Sequence, residues 1–325
     1  MTAPLLSVRN LTVRIGAATP VEEVGFDIAV GEVLGLVGES GSGKSLTLRA
    51  IMHLLPRVAH TTGQILWRGC DLTALAEPEL RALRGREIAI VFQEPMAALD
   101  PVLTVGLQIT ESLAEHLGLR GRAALARAAE VLDLVGIPDA RRRLSSYPHE
   151  FSGGMRQRVM IAIALAAGPK LLLADEPTTA LDVTIQDQIL KLLLRLGVEL
   201  SMSVVLVTHD LGIVAETCDR VAVLYSGRIM ETGSVETIFR RPAHAYTLGL
   251  INSVPLAKNA RQPLASIPGV PPDPLDLPPG CRFAPRCGLV GRECLVRQPE
   301  LRSLTAAHAT ACIRADAVMQ GALSS

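Results

Sequence analysis

Net charge is what this chain most plainly lacks, since 32 lysines and arginines balance 32 aspartates and glutamates. Binding to nucleic acid through counterion release needs a basic footprint, and none stands out, so a mainly electrostatic nucleic-acid binder is disfavoured. A long apolar run is missing too. The most apolar window, Val159 to Ala174, is interrupted by Gly168-Pro169-Lys170 and falls short of the ~20 residues that span a bilayer. It predicts a helix followed by a strand, and any membrane role is then peripheral, through partners. The first ten residues carry neither a basic leader nor an apolar core of signal-peptide length, which predicts a cytoplasmic protein. The C-x-x-C knuckles usual in structural zinc sites are also absent. What 325 residues at 49% hydrophobic content do allow is one large core with an appendage.

The chain is organised around Gly38-Glu39-Ser40-Gly41-Ser42-Gly43-Lys44-Ser45, which fits the phosphate-loop pattern G-x-x-x-x-G-K-[ST]. Before it, Val33 to Val37 is a short apolar stretch of buried-strand type; after it, Leu46 onward reads as a helix. Strand, glycine loop and helix start make an anion site, because glycines let backbone N–H groups close around phosphate oxygens while the helix dipole adds positive potential. Lys44 would reach the β- and γ-phosphates, and Ser45 would put its hydroxyl on Mg²⁺.

Further strands are predicted at Leu6 to Val13, Val24 to Val30, Gly63 to Gly69 and Ile88 to Phe92, with Gln93 at the C-terminal end of the last. Ligands of open α/β sheets sit at that end, so the Gln93 amide can touch metal and attacking water. From Thr104 to about Ala167 the period turns helical, as an insertion in the α/β core. Its last helix opens on Ser152-Gly153-Gly154-Met155, where Ser152 is an N-cap type and the glycines leave the helix start uncovered for a phosphate. Lys170 to Asp175 is an apolar strand ending in Asp175-Glu176. Asp175 would hold Mg²⁺ through its water shell, and Glu176 would polarise the water that attacks the γ-phosphate. The turn Thr178 to Asp182 opens a helix over Val183 to Leu196. The strand Ser203 to Thr208 then delivers His209, a candidate hydrogen-bond donor to developing γ-phosphate charge. Two strands, Arg220 to Tyr225 and Arg228 to Glu231, are expected to finish the core around Ser226-Gly227.

The ordered set Gly38 to Ser45, Gln93, Ser152-Gly153-Gly154, Asp175-Glu176, Ala180-Leu181-Asp182 and His209 resembles the ATP-binding cassette (ABC) family over roughly residues 5 to 240. The resemblance implies a P-loop NTPase with a RecA-like core, an antiparallel β part and a helical insertion at about 97–167, followed by a small irregular extension over 241–325. It further implies ATP and Mg²⁺ as ligands and head-to-tail dimers, each ATP lying between the phosphate loop of one cassette and the Ser-Gly-Gly helix of the other. Gln93 would couple the site to a membrane partner, Ala180, Leu181 and Asp182 would link the two sites, and His209 would be the γ-phosphate switch. Where the family has an aromatic against adenine, Ile15 stands near that position, leaving aliphatic contact.

Phe92 to Pro101, the form Tyr147 to Met155 of the Ser-Gly-Gly motif, and Arg241-Pro242-Ala243-His244-Ala245-Tyr246-Thr247 are similar to the ATPase subunits of bacterial oligopeptide and dipeptide importers. Such a subunit would hydrolyse ATP at the cytoplasmic face of the cell membrane. Its expected partners are a related, non-identical ATPase subunit, two integral membrane permeases and an extracytoplasmic solute-binding protein. Nickel, opine and glutathione importers share similar ATPases, and a soluble ABC ATPase outside transport is the reading from another class.

From Pro255 the chain turns proline- and glycine-rich, predicting a linker without regular structure. Cys281, Cys287, Cys294 and Cys312 follow, spaced C-x₅-C-x₆-C-x₁₇-C. Four thiolates in a reduced compartment suggest a metal site, and iron–sulfur clusters accept varied spacings. The importer resemblance favours a [4Fe–4S] cluster, with zinc or free thiols as the alternatives. Cys70 and Cys218 read as small packing residues.

Overall fold

The computed structural model describes residues 3–178, 181–253 and 266–322. Its elements begin with β1 (Leu6–Ile15), β2 (Ala18–Ile28), β3 (Val33–Val37), α1 (Lys44–Ile51), β4 (Ala59–Trp67) and β5 (Cys70–Asp71). Next come α2 (Glu77–Leu83), β6 (Ile88–Val91), α3 (Pro95–Ala98), α4 (Val105–Leu117), α5 (Gly121–Leu134), α6 (Ala140–Arg143) and α7 (Gly153–Leu165). Then follow β7 (Leu171–Asp175), α8 (Val183–Glu199), β8 (Ser203–Thr208), α9 (Leu211–Thr217), β9 (Arg220–Tyr225) and β10 (Arg228–Ser234). The described chain closes with α10 (Val235–Arg240), α11 (Ala245–Asn252), β11 (Arg302–Thr305), β12 (His308–Thr310) and α12 (Ala315–Ala322). Contacts divide it into two compact units, one of Met1–Ile28, Val33–Thr73 and Thr208–Ser325, the other of Ala29–Glu32 and Ala74–Val207. The tail expected from residue 241 groups with the first unit.

In the first unit, β1 lies between β2 and β4 in an antiparallel sheet of order β2-β1-β4-β5. Leu6, Val8, Leu11 and Val13 of β1 are buried, as the apolar pattern anticipates. The partner strand is longer than expected. A two-residue turn pairs Ile15 with Ala18, and Pro20 is accommodated because β2 is the edge strand and the missing N–H breaks no ladder. Beside this sheet's strands in sequence, β3 runs parallel to β9, and β9 turns back into β10 through Ser226 and Gly227, both at positive φ (44° and 85°). Two such residues give the turn whose twist matches an antiparallel hairpin.

β10 does not finish the sheet. β12 adds antiparallel to it, with Glu231 opposite Thr310 and Gly233 opposite His308, and β11 pairs with β12. These strands are four and three residues long, too short to show a period, and they form because the edge of β10 offers unpaired backbone groups. The proline-rich stretch described from residue 266 has no helix or strand up to residue 283, as expected.

Glu231, fully buried, fastens the tail. Its carboxylate accepts from the Ala243 and His244 backbone N–H groups at 2.6 and 3.0 Å and meets His308 Nε2 at 2.7 Å. The core there is shared, with Val37, Val223, Tyr225, Tyr246 and Phe283 in one apolar cluster.

In the second unit, β8, β7 and β6 are parallel neighbours in that order. All residues of β7 and β8 are buried, which is why they read as continuous apolar runs rather than alternating ones. The expected helical insertion is present as α4, α5 and α7, which pack on one another and bury Ile109, Leu113, Ala128, Val131 and Ile161. The Thr104 side chain caps α4, accepting from Leu107 N–H at 3.3 Å, and Gly118 ends it in the left-handed region. Among the described residues no helix is long and apolar enough to cross a membrane.

His244 offers a pH test of the tail's attachment. It is buried, its Nδ1 accepts from Tyr246 N–H at 3.1 Å to cap α11, and burial lowers its pKa to about 4. Between pH 6.5 and about 4 the unfolded chain therefore takes up a proton that the folded chain refuses. His244 thus contributes stability that is complete above the unfolded pKa and lost as pH falls toward the folded one, on the order of 3 kcal/mol. Urea unfolding of His244→Asn, which keeps a capping oxygen, should lack that part of the pH slope; a slope equal to the parent's would contradict this.

Candidate nucleotide site

The phosphate loop leaves β3 at Val37 and enters α1 at Lys44. Two of its glycines are obligatory. Gly38 has φ +154°, and a Cβ there would lie 2.1 Å from Leu224 O; Gly43 has φ +99°, with a Cβ 2.6 Å from Pro20 O. Gly43 also gives α1 no side-chain cap, so the N–H groups of the first turn stay open to an anion. Lys44 is only 4% exposed and folds back over the loop, donating to Gly38 O at 2.8 Å and Glu39 O at 2.9 Å. Gly227 N–H donates to Ser42 O at 2.9 Å, so the β9–β10 turn supports the loop from beneath. Ser42 is buried, Ser45 and Leu46 are half-buried, and Ser40 and Gly41 are exposed.

A cavity of about 180 Å³ opens over this loop. It is lined by Thr19, Pro20, Glu39 to Ser42, Tyr225 and Ser226, and, from the tail, by Pro271, Pro272, Pro274 and Leu277. Ile15, expected near adenine, is the last residue of β1 and is not in this lining. His209 also belongs to this unit, exposed between β8 and α9, next to Asp210, which caps α9 by accepting from Gly212 N–H at 2.7 Å.

The carboxylates belong to the second unit. Asp175 is the buried last residue of β7, 2% exposed. Glu176 leaves the strand at φ +43°, its N–H donating to Val207 O at 3.1 Å. Gln93, exposed just beyond β6, brings Nε2 to 3.3 Å from Glu176 Oε2. Two of the residues expected to handle the attacking water therefore touch.

Ser152 caps α7 as expected, its Oγ accepting from Met155 N–H at 3.4 Å. It and Gly153 are exposed at the helix start. The glycines have a packing role as well: a Cβ on Gly154 would stand 2.8 Å from Ile185 Cγ2, and one on Gly153 would stand 3.6 Å from Leu181 Cδ2. The Ser-Gly-Gly turn thus rests on Leu181 and the start of α8, which Asp182 caps by accepting from Ile185 N–H at 3.0 Å. Ala180, the remaining residue expected to link the sites, lies outside the described residues.

Cys281, Cys287, Cys294 and Cys312 all line one small cavity in the tail, with His244 and Phe283. Among the described residues no group of three or more His, Cys, Asp or Glu side chains is arranged to hold a metal ion, so the expected metal site has no ready-made ligand cage. Burial raises the Cys281 and Cys287 thiols above their ordinary pKa and pushes Cys312 up to about 11, which favours the protonated form at neutral pH. Cys218 fits its expected packing role, its Sγ 3.1 Å from where a Gly35 Cβ would be. Cys70 does not: it is exposed at the start of β5.

Sequence reasoning missed the arginines between the first two of these cysteines. Arg286 donates to both Glu39 carboxylate oxygens, at 2.6 and 3.0 Å, and lies over the Tyr225 ring at 5.7 Å. Arg282 donates to Ser226 O and pairs with Glu22. Neither residue belongs to a recognisable motif, and their partners are remote in sequence.

The chain matches the ABC transporter family over residues 21–179 and the C-terminal region of oligopeptide/dipeptide transporters over residues 230–294. A Brucella abortus protein named a peptide import ATP-binding protein is 52% identical over 316 residues, covering 96% of this chain and 95% of its own. The oligopeptide transport ATP-binding protein OppD of Haemophilus influenzae is 47% identical over 297 residues, 90% of this chain and 92% of its own. Among solved structures, a dimeric ATP-binding cassette in a post-hydrolysis state with ADP and phosphate aligns at TM-score 0.63 and 31% identity, covering 71% of this chain and 98% of its own. CbiO1 of Clostridium perfringens, part of the ABC transporter complex cbiONQ, aligns at TM-score 0.63 and 28% identity, covering 73% of this chain and 91% of its own.

Proposed function

The chain belongs to the ABC transporter family and carries the C-terminal region of its oligopeptide and dipeptide transporters, and from that premise we propose that it is the ATP-hydrolysing subunit that energises import of peptides across the cell membrane. The observation that carries the reading is the phosphate loop, with its two obligatory glycines, its buried Lys44 and the uncapped start of α1. Such a loop grips a polyphosphate mainly through backbone N–H groups, a cation and the helix dipole.

In this reading Lys44 and the residues Ser40 to Leu46 bind the phosphates, while Ser45, Asp175 and Gln93 serve Mg²⁺, which neutralises charge on the β- and γ-phosphates. Glu176 orients and polarises the attacking water, supported by its contact with Gln93, and His209 donates to the γ-phosphate. Ser152, Gly153, Gly154 and Met155 cap the nucleotide held by a second ATPase subunit. The packing of that turn on Leu181 and Ile185 supports a link between the two sites through the segment before α8.

Binding of γ-phosphate then favours the paired state, and hydrolysis releases it. The further partners are a related ATPase subunit, two permeases that carry the solute through the membrane and a solute-binding protein, with this chain peripheral at the cytoplasmic face. Glu176→Gln should keep ATP binding, hold the ATPase pair closed in light scattering, and lower turnover by at least about 10². Parental turnover in that variant would remove Glu176 from the mechanism.

We propose also that the four tail cysteines hold a [4Fe–4S] cluster. What supports it is that all four thiols border one cavity, although among the described residues they are not arranged as a ready-made metal-binding group. When bound, the cluster would take the four thiols as thiolates and tie the strands and turns of the tail together. Anaerobic purification followed by iron and sulfide analysis should find both in equal amounts, lost in Cys294→Ser; a colourless, iron-free protein with an intact tail would contradict it.

A further inference from the structure

The phosphate loop contains an acid. Glu39 stands between Gly38 and Ser40, and its carboxylate carries the wrong sign for a site that must accept a triphosphate. Unlike charge at this position would help, and like charge works against binding. The structure pairs that carboxylate with Arg286 through both oxygens, and the Arg286 side chain is only 4% exposed. The guanidinium is held in turn from three sides. Its Nε donates to Pro268 O at 2.8 Å, Nη2 donates to Ile267 O at 3.3 Å, and Nη1 meets the Tyr225 hydroxyl at 3.3 Å. A planar fork fixed in this way is suited to a bidentate carboxylate and not replaceable by a point charge.

Two further contacts tie the tail to the loop and to the β9–β10 turn that meets it. The Tyr246 hydroxyl accepts from Glu39 N–H at 2.9 Å, and Arg282, four residues before Arg286, grips Ser226 O beside Gly227, the residue that donates to Ser42 O. The tail also walls the cavity over the loop, through Pro271, Pro272, Pro274 and Leu277.

We infer that the C-terminal tail is part of the nucleotide site, and that Arg286 is a positioning residue which neutralises Glu39 so that the loop presents net positive potential to the phosphates. The inference rests on the reading of Gly38 to Ser45 as the nucleotide loop. A cassette of this kind would bind nucleotide well only with its tail docked, so anything that undocks the Arg286 segment lowers affinity without touching a phosphate ligand.

The test is calorimetric titration of the full chain with Mg–ADP, which is bound without turnover. Arg286→Ala should raise Kd about tenfold, an effect that shrinks at high salt, because it bares a carboxylate near the phosphates. Arg286→Lys should fall between, keeping charge but losing the fork. Glu39→Gln in the Arg286→Ala background should recover most of the lost affinity, and Glu39→Gln alone should bind at least as tightly as the parent. A purely structural role for Arg286 would lower the melting temperature of the nucleotide-free chain and give no recovery by Glu39→Gln, which overturns the inference, as does an unchanged Kd in Arg286→Ala. Glu39→Gln alone also decides the case should Arg286→Ala not fold, since weakened binding there contradicts it. Lys44→Ala separates the underlying reading: if that variant binds Mg–ADP as the parent does, the loop is not the nucleotide site, whatever Arg286 does.

Discussion

A loop that binds polyphosphate through backbone N–H groups must hold those groups convergent in the absence of the ligand, and this constraint governs the first unit. Lys44 meets part of it from inside the loop, folding over the carbonyls of Gly38 and Glu39. The ammonium thus neutralises carbonyl oxygens that would otherwise face an incoming anion. Close approach meets the rest: at Gly38 and Gly43 the neighbouring carbonyls of Leu224 and Pro20 leave no room for a β-carbon. Preorganisation of this sort lowers the ordering cost of binding.

The elements around the loop follow from the same constraint. The β9–β10 hairpin has two residues at positive φ in its turn, and that tight reversal places Gly227 N–H on Ser42 O. β10 in turn presents the buried Glu231, which collects the start of α11 and His308 of β12. A buried carboxylate is costly to desolvate, and three hydrogen-bond partners offset that cost. Through Glu231 the tail becomes continuous with the core under the phosphate loop, and the aromatic cluster of Tyr225, Tyr246 and Phe283 fills the space between them, with ring centroids 4.6 to 5.3 Å apart. The carboxylates of the second unit are fixed by a different device, a parallel strand buried on both faces that delivers Asp175 at its end and then turns sharply at Glu176.

Much of this was legible in the sequence because the chemistry is local. Eight contiguous residues define the phosphate loop, an apolar run ending in Asp175-Glu176 defines β7, and Ser152 with two glycines defines the start of α7. The helical insertion announced itself by its period. What was not legible is long-range. Arg286 and Glu39 are 247 positions apart, and an arginine between two cysteines carries no periodic signal. The strands β11 and β12 are too short for alternation to show, and they exist because β10 has an edge to fill. Cys70 looked like a packing residue by type, yet a two-residue strand at a sheet edge leaves it exposed.

The central claim is that one chain contributes two half-sites, a loop that holds its own nucleotide and a helix start that caps a neighbour's. Its most direct test is a cryo-EM map of the nucleotide-loaded transporter, read at the Ser152 hydroxyl. The account predicts that hydroxyl within hydrogen-bond distance, about 3 Å, of the γ-phosphate bound to the other ATPase subunit. A map in which Ser152 lies far from every bound triphosphate would contradict it.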